Sequence, residues 1–205
     1  MTRLILIRHG ETSWTREKRF QGHSNTALSS IGRRQAKALA KEVKKYSPDV
    51  LYASDLKRAS QTAAVIGRSA RLRTRKDRRL REMNFGLWEG KTGKQLAEEG
   101  SKIYRDWCRG RRVSPPKGES FKRISFRTNG FLDEILKKHV QKTVAIVSHG
   151  GAIKIMISRA LKLSLRSLWS FRLDPASISV IHVYPDFMQV VTLNYTAHLR
   201  KGNAA

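Results

Sequence analysis

Two histidines that each follow an apolar run are the residues in this sequence best suited to nucleophilic chemistry. His9 follows the apolar residues 4–7, and His149 follows the predicted buried strand 144–148. A neutral imidazole can attack phosphorus and carry it as a covalent phosphohistidine, whereas a protonated imidazole can stabilise charge on the phosphoryl oxygens. A histidine at the end of a strand is more often structural than catalytic, so neither residue decides the function alone.

Two arginines and one carboxylate add the other groups that such chemistry needs. Arg8 precedes His9, Arg58 lies one turn into a predicted helix, and Glu82 lies in a loop punctuated by glycines. A guanidinium matches phosphate oxygens through two parallel hydrogen bonds. A carboxyl group can protonate a leaving alcohol and then accept a proton from the attacking water. Together these residue types predict phosphoryl transfer to nitrogen that uses no metal and no cofactor.

Hydrophobic periodicity predicts that strands alternate with helices along most of the chain. Strands are predicted at 3–7, 50–53, 70–75, 144–148, 177–184 and 188–194, and helices at 30–46, 54–66, 94–108, 120–139 and 150–163. This alternation predicts an α/β fold, with one three-layer α/β/α domain over 1–205 and a mostly parallel central sheet. We expect an ordered core at about 3–199, and we expect 201–205 to fray.

Three predicted strands end at candidate residues. The first strand leads to Arg8 and His9, the second leads to the helix that carries Arg58, and the strand 144–148 leads to His149. Ligands of such sheets bind beyond the carboxyl ends of the strands. Since parallel strands bring these ends to one edge, we expect the candidate residues to converge there.

Four segments of this chain resemble the motifs of the histidine phosphatase superfamily, also called the phosphoglycerate mutase-like family. They are 8–12, 54–63, 80–90 and 149–151, and the resemblance extends from about residue 3 to about residue 195. It implies a phosphoglycerate mutase-like α/β domain in which His9 is the phosphorylated nucleophile and Glu82 the acid and base. It further implies that the substrate contacts Arg8, Thr15, Gln21, Gly22, Arg58, Glu82, His149 and Gly150.

The chain departs from the family pattern at two positions. Thr15 stands where the family usually has asparagine, and a hydroxyl reaches less far toward phosphate than an amide does. Asn25 stands where the family often has aspartate, at a position expected to brace a loop. Glu89 and Glu11 are the alternative carboxylates to Glu82. The segment 118–120 also matches the family, and we expect it to be structural or to line the entrance.

Both hydrolases and mutases occur in this family. About 35 residues separate the Glu82 loop from Gly118, whereas mutases that use a bisphosphorylated cofactor tend to be longer there. The stretch 80–92 resembles the phosphatase branch, which includes α-ribazole-phosphate phosphatases and broad-specificity phosphatases. We therefore expect a phosphatase of small phosphomonoesters. A cofactor-dependent phosphoglycerate mutase and a basic nucleic-acid-binding protein that keeps the fold are the alternatives.

Charge and cysteine content indicate which partners and which cellular compartment to expect. The formal net charge is +26, from 42 Lys and Arg against 16 Asp and Glu. Such a field attracts any anion, but the basic residues are spread along the chain, so we expect no dedicated nucleic-acid site. Cys108 is the single cysteine, which favours a reducing cytoplasm. No apolar run is long enough to span a membrane. The two C-terminal strands could pair across a homodimer interface.

Overall fold

Six strands of one mixed sheet carry the fold in the computed structural model, which describes residues 1–111 and 113–202. They are β1 (Thr2–Arg8), β2 (Val50–Ala53), β3 (Thr74–Lys76), β4 (Thr143–Ser148), β5 (Ile178–Val183) and β6 (Met188–Tyr195). Their order is β3-β2-β4-β1-β5-β6. The β1–β4, β2–β4 and β2–β3 pairs are parallel, and β5 and β6 add an antiparallel edge. The predicted mostly parallel α/β sheet is confirmed.

The parallel register brings the carboxyl ends of three strands level. Arg8 on β1 is paired with Ser148 on β4, and Ala53 on β2 is paired with Val147. The residues that follow these strand ends therefore start from one edge of the sheet, as the sequence predicts.

Helices cover both faces of this sheet. They are α1 (Ser13–Arg16), α2 (Ser30–Lys44), α3 (Lys57–Ala70), α4 (Gly93–Glu98), α5 (Lys102–Cys108), α6 (Phe121–Lys138) and α7 (Gly150–Ala160). Alternation along β1 sorts the core into two halves. Leu4 and Leu6 pack with α6 and α7, whereas Ile5 and Ile7 pack with α2 and α3. The three-layer arrangement follows from this alternation.

Several predicted helix boundaries are wrong. The predicted helix 94–108 is two helices, α4 and α5, because Gly100 adopts a left-handed backbone with φ of +67° and ends the first of them. Helix α3 begins at Lys57, since Ser54 and Asp55 turn toward other partners. Helix α7 ends at Ala160, and α1 is not predicted from the sequence.

The C-terminal end of the chain forms a short helical segment. A 3₁₀ segment, Ala197–Gly202, follows β6. The predicted fraying of 201–205 falls largely on 203–205, which lie outside the described residues. Among the helices that the structure describes, none is both long and apolar enough to cross a membrane.

Candidate functional site

His9 lies directly beyond β1, and its backbone is fixed on two sides. Its N–H donates to the Ser148 carbonyl at 3.0 Å, and its own carbonyl accepts from Ala176 at 3.0 Å. The imidazole is 2% exposed, and Nδ1 lies 2.7 Å from the Gly10 carbonyl oxygen. A carbonyl can only accept, so this contact places the proton of a neutral ring on Nδ1. The lone pair of His9 is therefore on Nε2.

Arg58, near the start of α3, is the partner of that lone pair. Its Nε donates to His9 Nε2 at 3.3 Å, and its two terminal nitrogens donate to the Gly22 and Ser24 carbonyls at 2.8 Å each. The side chain is 0% exposed. Burial lowers the pKa of Arg58 to about 10, so it remains a cation at neutral pH. Gly22 has a positive φ of 48°, which lets the 22–24 turn present both carbonyls.

His149 begins α7 on the neighbouring strand end. Its Nε2 lies 2.8 Å from Ser54 Oγ, and its ring centroid is 5.1 Å from that of His9. The Nδ1 of His149 and the Nε of Arg8 are buried and, among the described residues, have no hydrogen-bond partner. Arg8 is held through Nη1, which donates to the Leu173 carbonyl. Both free nitrogens belong to side chains beside His9.

The charges of this site favour neutral imidazoles. Burial lowers the pKa of His9 well below its usual 6.5, and the Arg58 and Arg8 cations lower it further. Burial followed by the Arg58 charge does the same to the pKa of His149. A neutral His9 with its lone pair on Nε2 is the state in which imidazole is a nucleophile. A protonated second histidine, as the sequence chemistry expects, therefore requires that a bound anion stabilise the charge of His149.

Glu82 is the carboxylate that enters the site. Its Oε1 accepts from the backbone N–H of Gly151 at 3.0 Å and of Met83 at 2.9 Å. The first of these contacts places the carboxylate at the N-terminus of α7, where the helix dipole favours negative charge. The alternative carboxylates are used elsewhere. Glu89 accepts from three backbone N–H groups of surrounding loops, and Glu11 accepts from the Ser29 hydroxyl.

An ion pair that sequence reasoning missed holds the Glu82 loop. Arg127 on α6 donates to the backbone carbonyls of Arg79, Arg81 and Glu82 at 2.7 to 2.8 Å. It also donates to both carboxylate oxygens of Glu119 at 2.8 Å. The signal in the sequence was the segment 118–120, which was expected to be structural or to line the entrance. Glu119 is structural, since it binds Arg127 and lines neither cavity.

Two further residues hold neighbouring loops. The Nε2 of His23 lies 2.9 Å from the Glu82 carbonyl oxygen, which also accepts from Arg127. Asn25, expected to brace a loop, accepts from the Lys57 N–H at 2.7 Å and so caps the start of α3. Neither side chain lines the cavities of the site.

Two adjoining cavities define the space for a ligand. An inner cavity of about 220 Å³ is lined by Arg8, His9, Thr15, Lys18, Arg19, Phe20, Gln21, Arg58, Glu82 and Phe85. An outer cavity of about 570 Å³ shares Arg8, Phe20, Glu82 and Phe85 with it. Its other lining residues are Met83, Trp107, Phe121, Ile124, Gly150, Gly151, Lys154, Ile155, Leu168, Trp169, Ser170, Phe171, Arg172 and Leu173. The inner space is basic and polar, whereas the outer space is mostly aromatic and aliphatic.

Of the remaining predicted contact residues, Thr15 and Gln21 line the inner cavity and Gly150 lines the outer one, whereas Gly22 and His149 line neither. The hydroxyl of Thr15 donates to the Thr12 carbonyl at 2.8 Å and accepts from the Thr12 N–H at 2.8 Å. This capping box at α1 engages the hydroxyl on both sides. Gln21 accepts from the hydroxyls of Thr12 and Thr26, which leaves its amide nitrogen for other partners. Gly150 adjoins Arg8 and Glu82, and a Cβ there would lie 3.8 Å from each.

No group of three or more His, Cys, Asp or Glu side chains within residues 1–111 and 113–202 is arranged to hold a metal ion. All of the predicted site residues, His9, Glu82, His149, Arg8, Arg58, Thr15, Gln21, Gly22 and Gly150, lie at the carboxyl ends of the parallel strands or in the loops beside them. The predicted convergence is therefore observed.

Comparison with known proteins identifies the class to which this fold and site belong. The family model "Histidine phosphatase superfamily (branch 1)" matches residues 4–196. The chain belongs to this superfamily, as the sequence motifs predict, and it is a phosphoric monoester hydrolase.

Particular relatives show how similar the chain is to known phosphatases. It is 37% identical to phosphoserine phosphatase 1 of Hydrogenobacter thermophilus, over 97% of this chain and 95% of the relative. It is 31% identical to the adenosylcobalamin/alpha-ribazole phosphatase of Escherichia coli, over 95% and 97%. The solved structure of Bacillus stearothermophilus YhfR superposes with a TM-score of 0.90 at 29% identity, over 97% of this chain and 100% of that one.

Proposed function

We propose that this phosphatase hydrolyses small phosphorylated metabolites through a phosphohistidine on His9. The observation that carries the proposal is the tautomer of His9. Its Nδ1 proton is held by the Gly10 carbonyl, so its lone pair is on Nε2, where it accepts a 3.3 Å hydrogen bond from Arg58 that a bound phosphoryl group would replace by accepting from Arg58 itself. Such an imidazole, lining a basic cavity of about 220 Å³, is suited to attack a phosphoryl group bound there.

The first step transfers the phosphoryl group to His9. Nε2 attacks phosphorus in line, the bond from phosphorus to the ester oxygen breaks, and the Glu82 carboxyl group gives its proton to that oxygen. In the second step Glu82, now a carboxylate, takes a proton from water, which attacks phosphorus and breaks the P–N bond. Glu82 is suited to both roles because it lines both cavities and therefore lies at their junction.

Arg8, Arg58 and His149 bind the phosphoryl oxygens in this scheme. Arg8 Nε and His149 Nδ1 are two of the buried nitrogens without a partner among the described residues, and the His149 ring packs against that of His9. A dianionic phosphoryl group among these side chains opposes the arginine charges that lower the pKa of His149. Substrate binding then brings a proton to His149, which stabilises charge on the equatorial oxygens.

The leaving group occupies the outer cavity. The names of relatives indicate the scale of substrate, since phosphoserine and α-ribazole phosphatases act on small metabolites. A cavity of about 570 Å³ is within the usual range for small-molecule sites.

The test is hydrolysis of 4-nitrophenyl phosphate in the presence of a chelator. His9→Ala should abolish turnover, whereas His182→Ala, a partly exposed histidine on β5 outside both cavities, should leave it intact. A rapid quench should trap a protein phosphate that is stable in alkali and labile in acid. Full activity of His9→Ala would overturn the mechanism. Interconversion of 2- and 3-phosphoglycerate that depends on added 2,3-bisphosphoglycerate and exceeds hydrolysis would indicate a mutase instead.

A further inference from the structure

Lys154 places an ammonium group in the outer cavity. It lies on α7, three residues after Gly151, whose N–H donates to Glu82. Its Nζ donates to the Leu168 carbonyl at 2.7 Å and lies 5.1 Å from the Trp169 ring centroid and 5.4 Å from that of Phe171. The ammonium is therefore fixed in position at the wall of the leaving-group space.

This ammonium has no counter-ion from the chain within the described residues, where no carboxylate oxygen lies within 4 Å of Nζ. Burial and the nearby Arg8 cation lower the pKa of Lys154, and the charge of Glu82 opposes part of this effect. One carbonyl and two ring faces offset only part of the cost of taking an ammonium from water. A group that supplies a negative charge would offset the rest.

The outer cavity as a whole has an excess of positive charge. Its described lining includes three cations, Arg8, Lys154 and Arg172, but a single acid, Glu82. Arg172 already has a partner, Asp174, at 2.6 Å. Lys154 is therefore the cation with a free charge at the wall, while Arg8 serves the phosphoryl group.

We propose that the outer cavity selects leaving alcohols that bear a carboxylate, and that Lys154 is the specificity-determining residue that pairs with it. This inference rests on the proposed function, since it places the ester oxygen of the substrate beside Glu82. Glu82 and Lys154 line the same cavity, so the ester oxygen and the carboxylate belong to one small leaving group that fills it. A leaving group with a second phosphate in place of the carboxylate would carry a charge of about −2, which a single ammonium does not balance.

The test uses pairs of substrates that differ in the carboxylate. 3-Phosphoglycerate is compared with glycerol 3-phosphate, and O-phosphoserine with phosphoethanolamine, in wild type and in Lys154→Met. Wild type should prefer the carboxylated member of each pair roughly 10- to 100-fold in kcat/KM, the effect of one charge-assisted hydrogen bond. In Lys154→Met the preference should fall to within about threefold of unity, while Lys154→Arg should retain part of it.

Two controls separate this inference from other causes. Lys122→Met removes one exposed lysine from α6 and so the same unit of net charge. It should keep the preference, which excludes general steering of anions by the field of the protein. Hydrolysis of 4-nitrophenyl phosphate, which has no carboxylate, is measured in every variant, and each carboxylate preference is compared after normalising to it.

The outcomes that would overturn the inference are distinct from failure of the proposed function. A wild type that hydrolyses 4-nitrophenyl phosphate but shows no carboxylate preference would overturn the role of Lys154. The same follows if the preference survives in Lys154→Met. These comparisons in wild type hold even if the methionine variant does not fold. Absence of a phosphohistidine in wild type would instead overturn the mechanism on His9.

Discussion

Arg127 and Glu119 form a two-pronged ion pair, in which Nε and Nη2 of the arginine each lie 2.8 Å from one carboxylate oxygen. Both side chains are largely buried, at 18% and 6% exposure. Because the remaining N–H groups of Arg127 donate to the carbonyls of Arg79, Arg81 and Glu82, this pair joins helix α6 to the loop that carries the proposed acid. The pair acts on Glu82 through its backbone and does not line either cavity.

Removing that guanidinium should misplace Glu82. In Arg127→Met, three carbonyls and a buried carboxylate lose their donor, and we expect a loss of stability of about 3 kcal/mol or more. Turnover of alkyl phosphates should fall at least about tenfold, with a smaller effect on 4-nitrophenyl phosphate, whose leaving group needs little protonation. Urea unfolding and steady-state kinetics on both substrates would measure these effects. Arg123→Met, an exposed position on the same helix, is the control. Equal losses on both substrates would contradict a role in positioning the acid.

Substitution of Glu82 itself should give the same contrast between alkyl phosphates and 4-nitrophenyl phosphate, with larger losses of activity. Glu82→Gln preserves the acceptor that Gly151 and Met83 use but has no transferable proton. We expect kcat on alkyl phosphates to fall by roughly 10²- to 10⁴-fold, with less effect on the burst of 4-nitrophenol. Glu89→Gln should instead reduce stability, since Glu89 accepts from backbone N–H groups outside the cavities. Wild-type turnover in Glu82→Gln would assign the acid to another residue.

Thr15 should contribute more to the capping of α1 than to phosphate binding. Its hydroxyl is bonded on both sides by Thr12, so little capacity remains for a phosphoryl oxygen. Thr15→Val should therefore raise the KM for 4-nitrophenyl phosphate less than about threefold and cost about 1 kcal/mol of stability, as loss of a cap does. Thr15→Asn should lower KM, because an amide reaches further into the inner cavity. A large rise of KM in Thr15→Val would show that the hydroxyl binds phosphate directly.

Stability should decrease as the pH falls below about 6.5. The pKa of each of the 6 histidines is lowered in the folded protein, chiefly by burial. The unfolded chain therefore binds more protons between pH 6.5 and the folded pKa values, which favours unfolding there. The fully buried His9 and His149 should together contribute a slope of up to about 2.7 kcal/mol per pH unit.

Urea unfolding at pH 7.5, 6.5 and 5.5 would measure this slope. The carboxylates with lowered pKa, Asp55 and Asp174, titrate below their usual 3.8 and lie outside this window. A variant with glutamine at positions 9 and 149 should lose most of the slope. An unchanged slope in that variant would show that the two imidazoles are protonated in the folded protein.

The fold and the candidate site were predictable from local patterns to a large extent. The apolar runs at 4–7, 50–53 and 144–148 end at Arg8, Ser54 and His149, and parallel pairing brings such ends to one edge. Boundaries such as the break at Gly100 and the start of α3 at Lys57 were predicted wrongly. They depend on backbone conformation and on distant partners, such as the bond between Ser54 and His149.

The sequence by itself determined the chemical groups of this protein, because an imidazole nucleophile, guanidinium groups and a carboxylate are properties of residue type. It also determined that several of them follow the ends of strands, because the apolar runs that form the strands are visible in the sequence. Only the tertiary structure decided which atoms are free to act. Arg58 reaches His9 Nε2 from 49 residues away, and Arg127 reaches the Glu82 loop from 45 residues away. Glu89 is held by backbone N–H groups outside the cavities, whereas Glu82 lines both cavities. Hydrogen bonds between residues far apart in the chain exist only after packing brings them together, so no local pattern contains them.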